Sequence, residues 1–415
     1  MALLADPLDL PSGVRLPNRI VKAALSEALG DADNSPDDRI VSLYRRWAQG
    51  GYGLLVTGNI MVDRAHLGEP GNIVIEDDRA LPQLTAWTKV AHDGGALIFA
   101  QLNHPGRQAN LLDVGHRPVA PSAVPLAMPG ATTPRELTGA EVEDVIERFA
   151  TAAAVCEEAG FDGVELHAAH GYLITQFLSP LTNLRTDEWG GTPERRMRFL
   201  IEVVRRVRAR VSPGFAVAVK LNSADFQRGG FTEDDSHAVV ATLADEAVDL
   251  IEVSGGSYEA PAMGGSEASS TREREAYFLD YARSVRREAG SIPIAVTGGF
   301  RSRAAMEEAL DAGDCDLVGM ARPTVTTTDA AAAVLEGRTT VLGTHEIRAG
   351  MRQILGRFTD LKALDGFLNI SWNTDQLHRL ARGQEPDLGR GALRTAVAMV
   401  RRNGRVSFTS RRGLK

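Results

Sequence analysis

The sequence predicts an α/β protein folded as one (β/α)8 TIM barrel, with long loops on the C-terminal face and a helical C-terminal extension. Three observations lead there: eight short aliphatic or β-branched runs, helical periodicity after most of them, and long inserts that all follow the C-terminal ends of runs. Eight strand–helix units in series point to a closed barrel rather than an open sheet.

The runs are RIVKAAL (19–25), GLLVTG (53–58), LIFAQLN (97–103), GVELHA (163–168), FAVAVKLN (215–222), DLIEVS (249–254), IPIAVTG (292–298) and DLVGMA (316–321). Between them lie amphipathic cover helices with ordinary boundary signals. Thr138 precedes EVEDVIERFATAAAVCEEAG, with Gly160 at its C-terminal cap, and Thr232 precedes EDDSHAVVATLADEA. Three inserts exceed a minimal barrel: the proline-rich 104–138 after strand 3, 173–192 after strand 4, and 254–270 after strand 6. All belong to the face where barrel enzymes place their chemistry.

The expected division is a barrel over 1–340 and an extension over 341–415, read as short helices ending in a basic tail. The last fifteen residues hold six Arg or Lys and no acid, a pattern of a solvated or subunit-contacting end that leaves a homo-oligomer open. The 415 residues, 43% hydrophobic and 24% charged, suffice for one large core. A net charge of −8 argues against a nucleic-acid partner, which needs a basic face. Cys156 and Cys315, the only cysteines, supply neither a disulfide framework nor a four-cysteine cluster. The N-terminus shows no signal-peptide pattern and no run of eighteen apolar residues occurs, so a cytoplasmic protein with a small-molecule partner and no membrane contact is expected.

The strongest chemical signal is His167, His170 and Tyr172 in ELHAAHGYL, where strand 4 runs into its loop. Two neutral imidazole N–H groups can hold a carbonyl or nitro oxygen as it gains charge, and a phenol protonated at neutral pH can serve as proton donor. The competing readings of H-x-x-H are a zinc pair, with Glu165 as the nearby acid, or packed structural histidines; no metal is expected. A second signal is phosphate binding by VTGGF (296–300) and GMARP (319–323), where Arg322 adds charge, although a glycine turn can be only a turn. Gln101 and Lys220 are polar residues in otherwise apolar strands, suited to the pyrimidine edge of a flavin. A structural Lys220–Glu165 ion pair is the alternative.

LPNRIVKAAL, GLLVTGNIMVD, QLNHPGR, HAAHGYLITQFLSPLTNLRTDEWGGTPERR, VAVKLNSADFQRGGF, IEVSGGSYE, VTGGFRSR and GMARP resemble the old yellow enzyme family, in particular its NADH:flavin oxidoreductase/NADH oxidase group, over about residues 8–340. The resemblance implies bound FMN, transient NADH or NADPH, and a small-molecule electron acceptor such as an activated C=C bond. It places the substrate oxygen on His167 and His170, the proton donor at Tyr172, and Gln101 and Lys220 beside the flavin pyrimidine. It also puts strand 1 on the flavin at Ala23, Ala24, Leu25 and Ser26, counts Gly58 with the cofactor set, and gives the phosphate to Gly298, Gly299, Phe300, Ala321 and Arg322. Tyr258 and Met263, in the loop after strand 6, are expected in the substrate pocket. This chain departs from the family at Lys220 (commonly Arg), Ser26 (commonly Thr or Cys), Ala24 (frequently Pro) and Ala28 (a pocket tyrosine in some relatives). Other readings are an oxidase, quinone reductase or desaturase, a flavin-free lyase with Lys220 as Schiff-base amine, and a non-catalytic ligand-binding barrel.

Overall fold

A computed structural model describes residues 3–109, 116–127, 131–255, 278–347 and 361–409. The eight runs become β1 (Ile20–Lys22), β2 (Leu54–Val56), β3 (Leu97–Asn103), β4 (Gly163–Ala168), β5 (Ala216–Asn222), β6 (Leu250–Ser254), β7 (Ile294–Thr297) and β8 (Leu317–Met320). Each pairs in parallel with the next, and β8 returns to β1 with Val318 opposite Ile20 and Met320 opposite Lys22. The sheet is thus a closed eight-stranded barrel.

Strand alternation explains why the runs read as nearly continuous apolar stretches. Ile98, Val164, Leu166, Val217, Val219 and Ile251 belong to the large core cluster that includes the cover helices. Val21, Val56, Phe99, Ala218, Leu250 and Leu317 form a second, inner cluster. Leu10 and Leu16 join that inner cluster from a small N-terminal antiparallel pair, Leu8–Asp9 with Arg15–Leu16, which closes one end. The end that carries the strand C-termini stays polar and open.

The cover helices are α1 (Asp38–Ala48), α2 (Leu81–Asp93), α3 (Gly139–Glu158), α4 (Pro193–Arg210), α5 (Glu233–Leu243), α6 (Leu279–Ala289) and α7 (Arg303–Asp311). Thr138 caps α3 in a reciprocal capping box with Glu141, and Thr232 does the same for α5 with Asp235. Each such cap is worth about 1 kcal/mol. Gly160 follows α3 with φ +86°, the left-handed geometry that a helix stop requires.

Two regions differ from expectation. The insert after β4 opens with a short helix, Leu173–Leu178, whose six side chains are all buried: Leu173, Ile174, Phe177 and Leu178 join the core, and Gln176 donates to the Pro105 and Gly171 carbonyls. The extension contains two long helices rather than short ones: α8 (Leu361–Leu380, 20 residues) and α9 (Ala392–Thr409, 18 residues). Gly366, Asn369 and Asn373 weaken helix propensity along α8, but packing against α9, α1 and the short helix Pro323–Thr326 overrides it. No helix among the described residues is long and apolar enough to cross a membrane.

Candidate active site

Directly above the apolar inner layer, the inward positions of β3 to β6 turn polar. Register sets Gln101 opposite Glu165, and Lys220 between His167 on one side and Glu252 on the other. Lys220 Nζ lies 2.5 Å from Glu252 Oε1, so the buried lysine does have an acidic partner, but it is Glu252 and not the Glu165 of the alternative reading. Glu165 instead accepts from Gln101 Nε2 at 2.6 Å. Burial, together with the negative Glu252, pushes the Glu165 carboxyl well above the usual range, so it keeps its proton. Burial acts most strongly and would raise Glu252 as well, yet the Lys220 ammonium together with hydrogen bonds from Glu165, Lys220 and Thr297 outweighs it and holds this carboxyl low. For Lys220, burial is likewise outweighed by Glu252 and Glu165, and the amine stays a cation.

His167 projects from the end of β4, and His170 and Tyr172 follow in its turn. The His167 ring lies 5.0 Å from that of His170 and 4.8 Å from that of Tyr172, both edge-on. The Ala169 amide donates to His167 Nδ1 at 3.3 Å, which fixes the neutral tautomer with the proton on Nε2. His170 Nε2 meets Ser254 Oγ at 2.7 Å. Burial depresses both imidazoles well below the ordinary histidine value, helped by His170 and then Lys220 for His167 and by Lys220 for His170, so both rings are neutral. His170 has φ +61°, a strained conformation for a non-glycine residue. Two side chains hold it there: Asn222 Oδ1 accepts its amide hydrogen at 3.2 Å, and Gln108 Nε2 donates to its carbonyl at 2.8 Å.

At the end of β7, Gly298 and Gly299 adopt φ +137° and +90°, a backbone open to glycine, and line the cavity together with Phe300, Ala321 and Arg322. A Cβ at Gly319 would land on Thr297 Oγ1, so glycine there is what admits the threonine to the floor. These residues, with Ala24, Leu25, Ser26, Gln101, Lys220 and the His167–His170–Tyr172 group, line one cavity of 650 Å³.

Ala23 and Gly58, expected at the cofactor, are not brought to this cavity. Ala23 is buried in the wall, its amide donating to Met320 O at 2.9 Å. Gly58 lies behind the β1 loop, its amide donating to Glu27 at 3.1 Å, and a Cβ there would strike Glu27 and sit 2.5 Å from Leu25 O. Its role is close packing that supports Leu25. Glu27 also accepts from Tyr44 at 2.6 Å and faces Lys22 Nζ at 3.4 Å; Lys22 is fully buried, with its pKa drawn down to about 8 by burial against the pull of Glu27. Tyr258 and Met263 lie outside the described residues.

Several lining residues gave no clear sequence signal. Asn59, Ser254 and Phe278 enter from loops and strand ends, and Asn373, Thr374 and Leu377 come from α8. His378 on α8 donates from Nε2 to Glu27 O and Ala28 O, at 3.0 and 3.1 Å, and so ties the extension to the β1 loop. Elsewhere among the described residues, ligand atoms of Asp63, His66 and His104 gather within 4.8 Å. His104 Nδ1 accepts the Gly106 amide hydrogen at 3.1 Å, so its neutral ring carries the proton on Nε2, facing Asp63 at 3.8 Å, and offers no lone pair to a metal.

The family model described as NADH:flavin oxidoreductase / NADH oxidase matches residues 4–340. The chain belongs to this family. It is 39% identical over 343 residues to the NADH-dependent flavin oxidoreductase iliE of Hypocrea jecorina, covering 76% of this chain and 85% of that protein. The protein of the same description from Neonectria sp. is also 39% identical, over 346 residues, but the chain spans 45% of its length and the match takes in 77% of this chain. The solved old yellow enzyme homologue from Zymomonas mobilis superposes with a TM-score of 0.69 at 26% identity, over 82% of this chain and 94% of that one.

Family membership makes the chain an oxidoreductase with FMN as cofactor. The residues present fit that group: the cavity volume is within the range of about 300–1,000 Å³ usual for small-molecule sites. One end offers main-chain amides at positive-φ glycines beside Arg322, matching a phosphate, and the floor offers an ammonium and an amide, matching a pyrimidine edge.

Proposed function

We propose that the protein reduces an electron-poor C=C bond of a small enone or nitroalkene, with reduced nicotinamide as electron donor. The observation that supports this reading most is the neutral His167–His170 pair with Tyr172 edge-on to it at the cavity. FMN, when bound, supplies hydride transfer from the nicotinamide to the β-carbon of the acceptor.

In this reading Gln101 and Lys220 hold the pyrimidine edge, the β1 loop at Ala24, Leu25 and Ser26 lies against the ring, and Gly298, Gly299, Phe300, Ala321 and Arg322 bind the phosphate. The acceptor oxygen sits at the imidazole pair. His167 donates from Nε2–H, its tautomer fixed from behind by the Ala169 amide. Ser254 can give its hydroxyl proton to His170 Nε2, which leaves Nδ1–H as the second donor. Neutral N–H donors suit a charge that develops only during reaction, since they stabilise it without binding the ground state as strongly as a cation would. Tyr172 delivers its phenolic proton to the α-carbon. Donor and acceptor use one cavity in turn, so turnover alternates and double-reciprocal plots are parallel.

The Lys220–Glu252 ion pair favours this reading over a Schiff-base lyase, because an amine nucleophile must be neutral and this one is held as a cation. Anaerobic titration of the purified protein with NADH and NADPH, followed by mixing with an enone, tests the proposal. Bleaching of the flavin band by a nicotinamide and its rapid return with the enone is expected. Return with oxygen or a quinone but not with any enone or nitroalkene would refute the acceptor assignment.

A further inference from the structure

Against the two floor residues Gln101 and Lys220 lie two carboxyl groups that no part of the catalytic reading uses. Glu165 and Glu252 are each 1% exposed, their carboxyls hydrogen-bond to one another, and Lys220 Nζ touches Glu252. Touching carboxyls in a buried site cannot both ionise, so the pair holds one proton. With the Lys220 cation, the carboxylate of Glu252 and the neutral Glu165, the floor has no net charge. The other groups facing it do not alter that sum: Gln101 and Thr297 are neutral, His167 and His170 are held neutral by burial, and Lys22 lies behind the barrel wall against its own partner Glu27.

We propose that Glu252 sets the reduction potential of bound FMN, by binding Lys220 as an ion pair and sharing one proton with Glu165, so that the cofactor rests on an electrically neutral floor. A lone lysine under the pyrimidine edge favours the reduced cofactor, whose extra negative charge lies there. Here that attraction is largely offset before reduction begins. Glu252 acts through Lys220 and is a positioning residue, not a catalytic one. The inference rests on the proposed placement of FMN over Gln101 and Lys220.

Reductive titration of the FMN-loaded protein against reference dyes reads the potential without turnover. Added to Glu165→Gln, so that no second carboxyl can ionise in its place, Glu252→Gln keeps the shape and frees the Lys220 charge; reduced FMN is expected to gain at least tenfold over oxidised FMN, an upward shift of about 30 mV for a two-electron couple. Glu165→Gln alone keeps a neutral hydrogen-bonding group beside Glu252, and a change under about threefold (roughly 15 mV) is expected. An unmoved or lowered potential in Glu165→Gln/Glu252→Gln, or an equal shift in Glu165→Gln alone, overturns the proposal. Should Glu165→Gln/Glu252→Gln fail to fold, the double variant Lys220→Met/Glu252→Gln, which removes both charges of the pair together, decides. A lysine already neutralised is worth less than tenfold to the reduced form, and a fall beyond tenfold overturns the idea. Protein that purifies without FMN and cannot be loaded would instead refute the cofactor placement, which keeps the two failures distinct.

Discussion

Replacing His167 by alanine removes one hydrogen-bond donor from the acceptor oxygen while sparing the floor. Its Nε2–H is a preorganised donor: the ring is buried, neutral, and fixed in tautomer by the Ala169 amide at 3.3 Å. Loss of a single donor of this kind costs about 10²- to 10³-fold in rate, or roughly 2.7–4 kcal/mol of transition-state stabilisation. The assay is single-turnover: reduce the bound FMN with one equivalent of NADH, mix with a cyclic enone without oxygen, and follow return of the flavin band. His167→Asn should recover part of the loss, because an amide N–H can replace the imidazole donor, though from a shorter side chain. Reduction by NADH should slow much less than reoxidation, because no carbonyl oxygen of the nicotinamide gains full charge in that step. If His167→Ala retains FMN and reoxidises within threefold of the unmodified protein, the imidazoles do not act on the acceptor and the reasoning fails.

Four further outcomes are expected. With both imidazoles depressed well below the ordinary histidine pKa, they stay neutral as pH falls through about 6.5, so enone-driven reoxidation should show no inflection there; a step near that value in the stopped-flow profile would contradict the assignment. Gly319→Ala, which drives a methyl onto Thr297 Oγ1, should cost about 1–3 kcal/mol of stability by overpacking and weaken FMN retention, measured by urea unfolding and by flavin fluorescence on dilution. Lys22→Met strands the Glu27 carboxyl in a buried site, and a loss of about 3–5 kcal/mol in denaturant unfolding is expected, mostly restored by adding Glu27→Gln. His378→Ala leaves two loop carbonyls without their shared donor; a stability loss of about 1–3 kcal/mol and faster FMN release should follow, and unchanged release would separate α8 from cofactor binding.

The barrel was legible because buried parallel strands must be apolar on both faces, and all eight runs emerged as strands in the expected order. The His167–His170–Tyr172 group was legible because three polar rings at a strand exit have no packing role. Glu252 gave the same signal as Lys220, a charged residue at an inward position of an apolar strand, and alternation with Ser254 would have turned it toward the barrel interior beside Lys220. Gly58 misled because its glycine requirement comes from a neighbouring carboxylate and carbonyl, a contact that sequence spacing does not encode. The contribution of α8 was invisible for a related reason: helical periodicity reports that a face is buried, but not that Asn373 and Thr374 line a cavity built by the barrel strands earlier in the chain.

That helix lies beyond the segment the family model matches, yet it forms part of the cavity wall. Relatives that share the catalytic strands can therefore differ in what they admit or release simply by ending differently. Exchanging C-terminal segments between such proteins, with the His378 tether preserved, would be a way to alter ligand traffic while leaving every reacting group untouched.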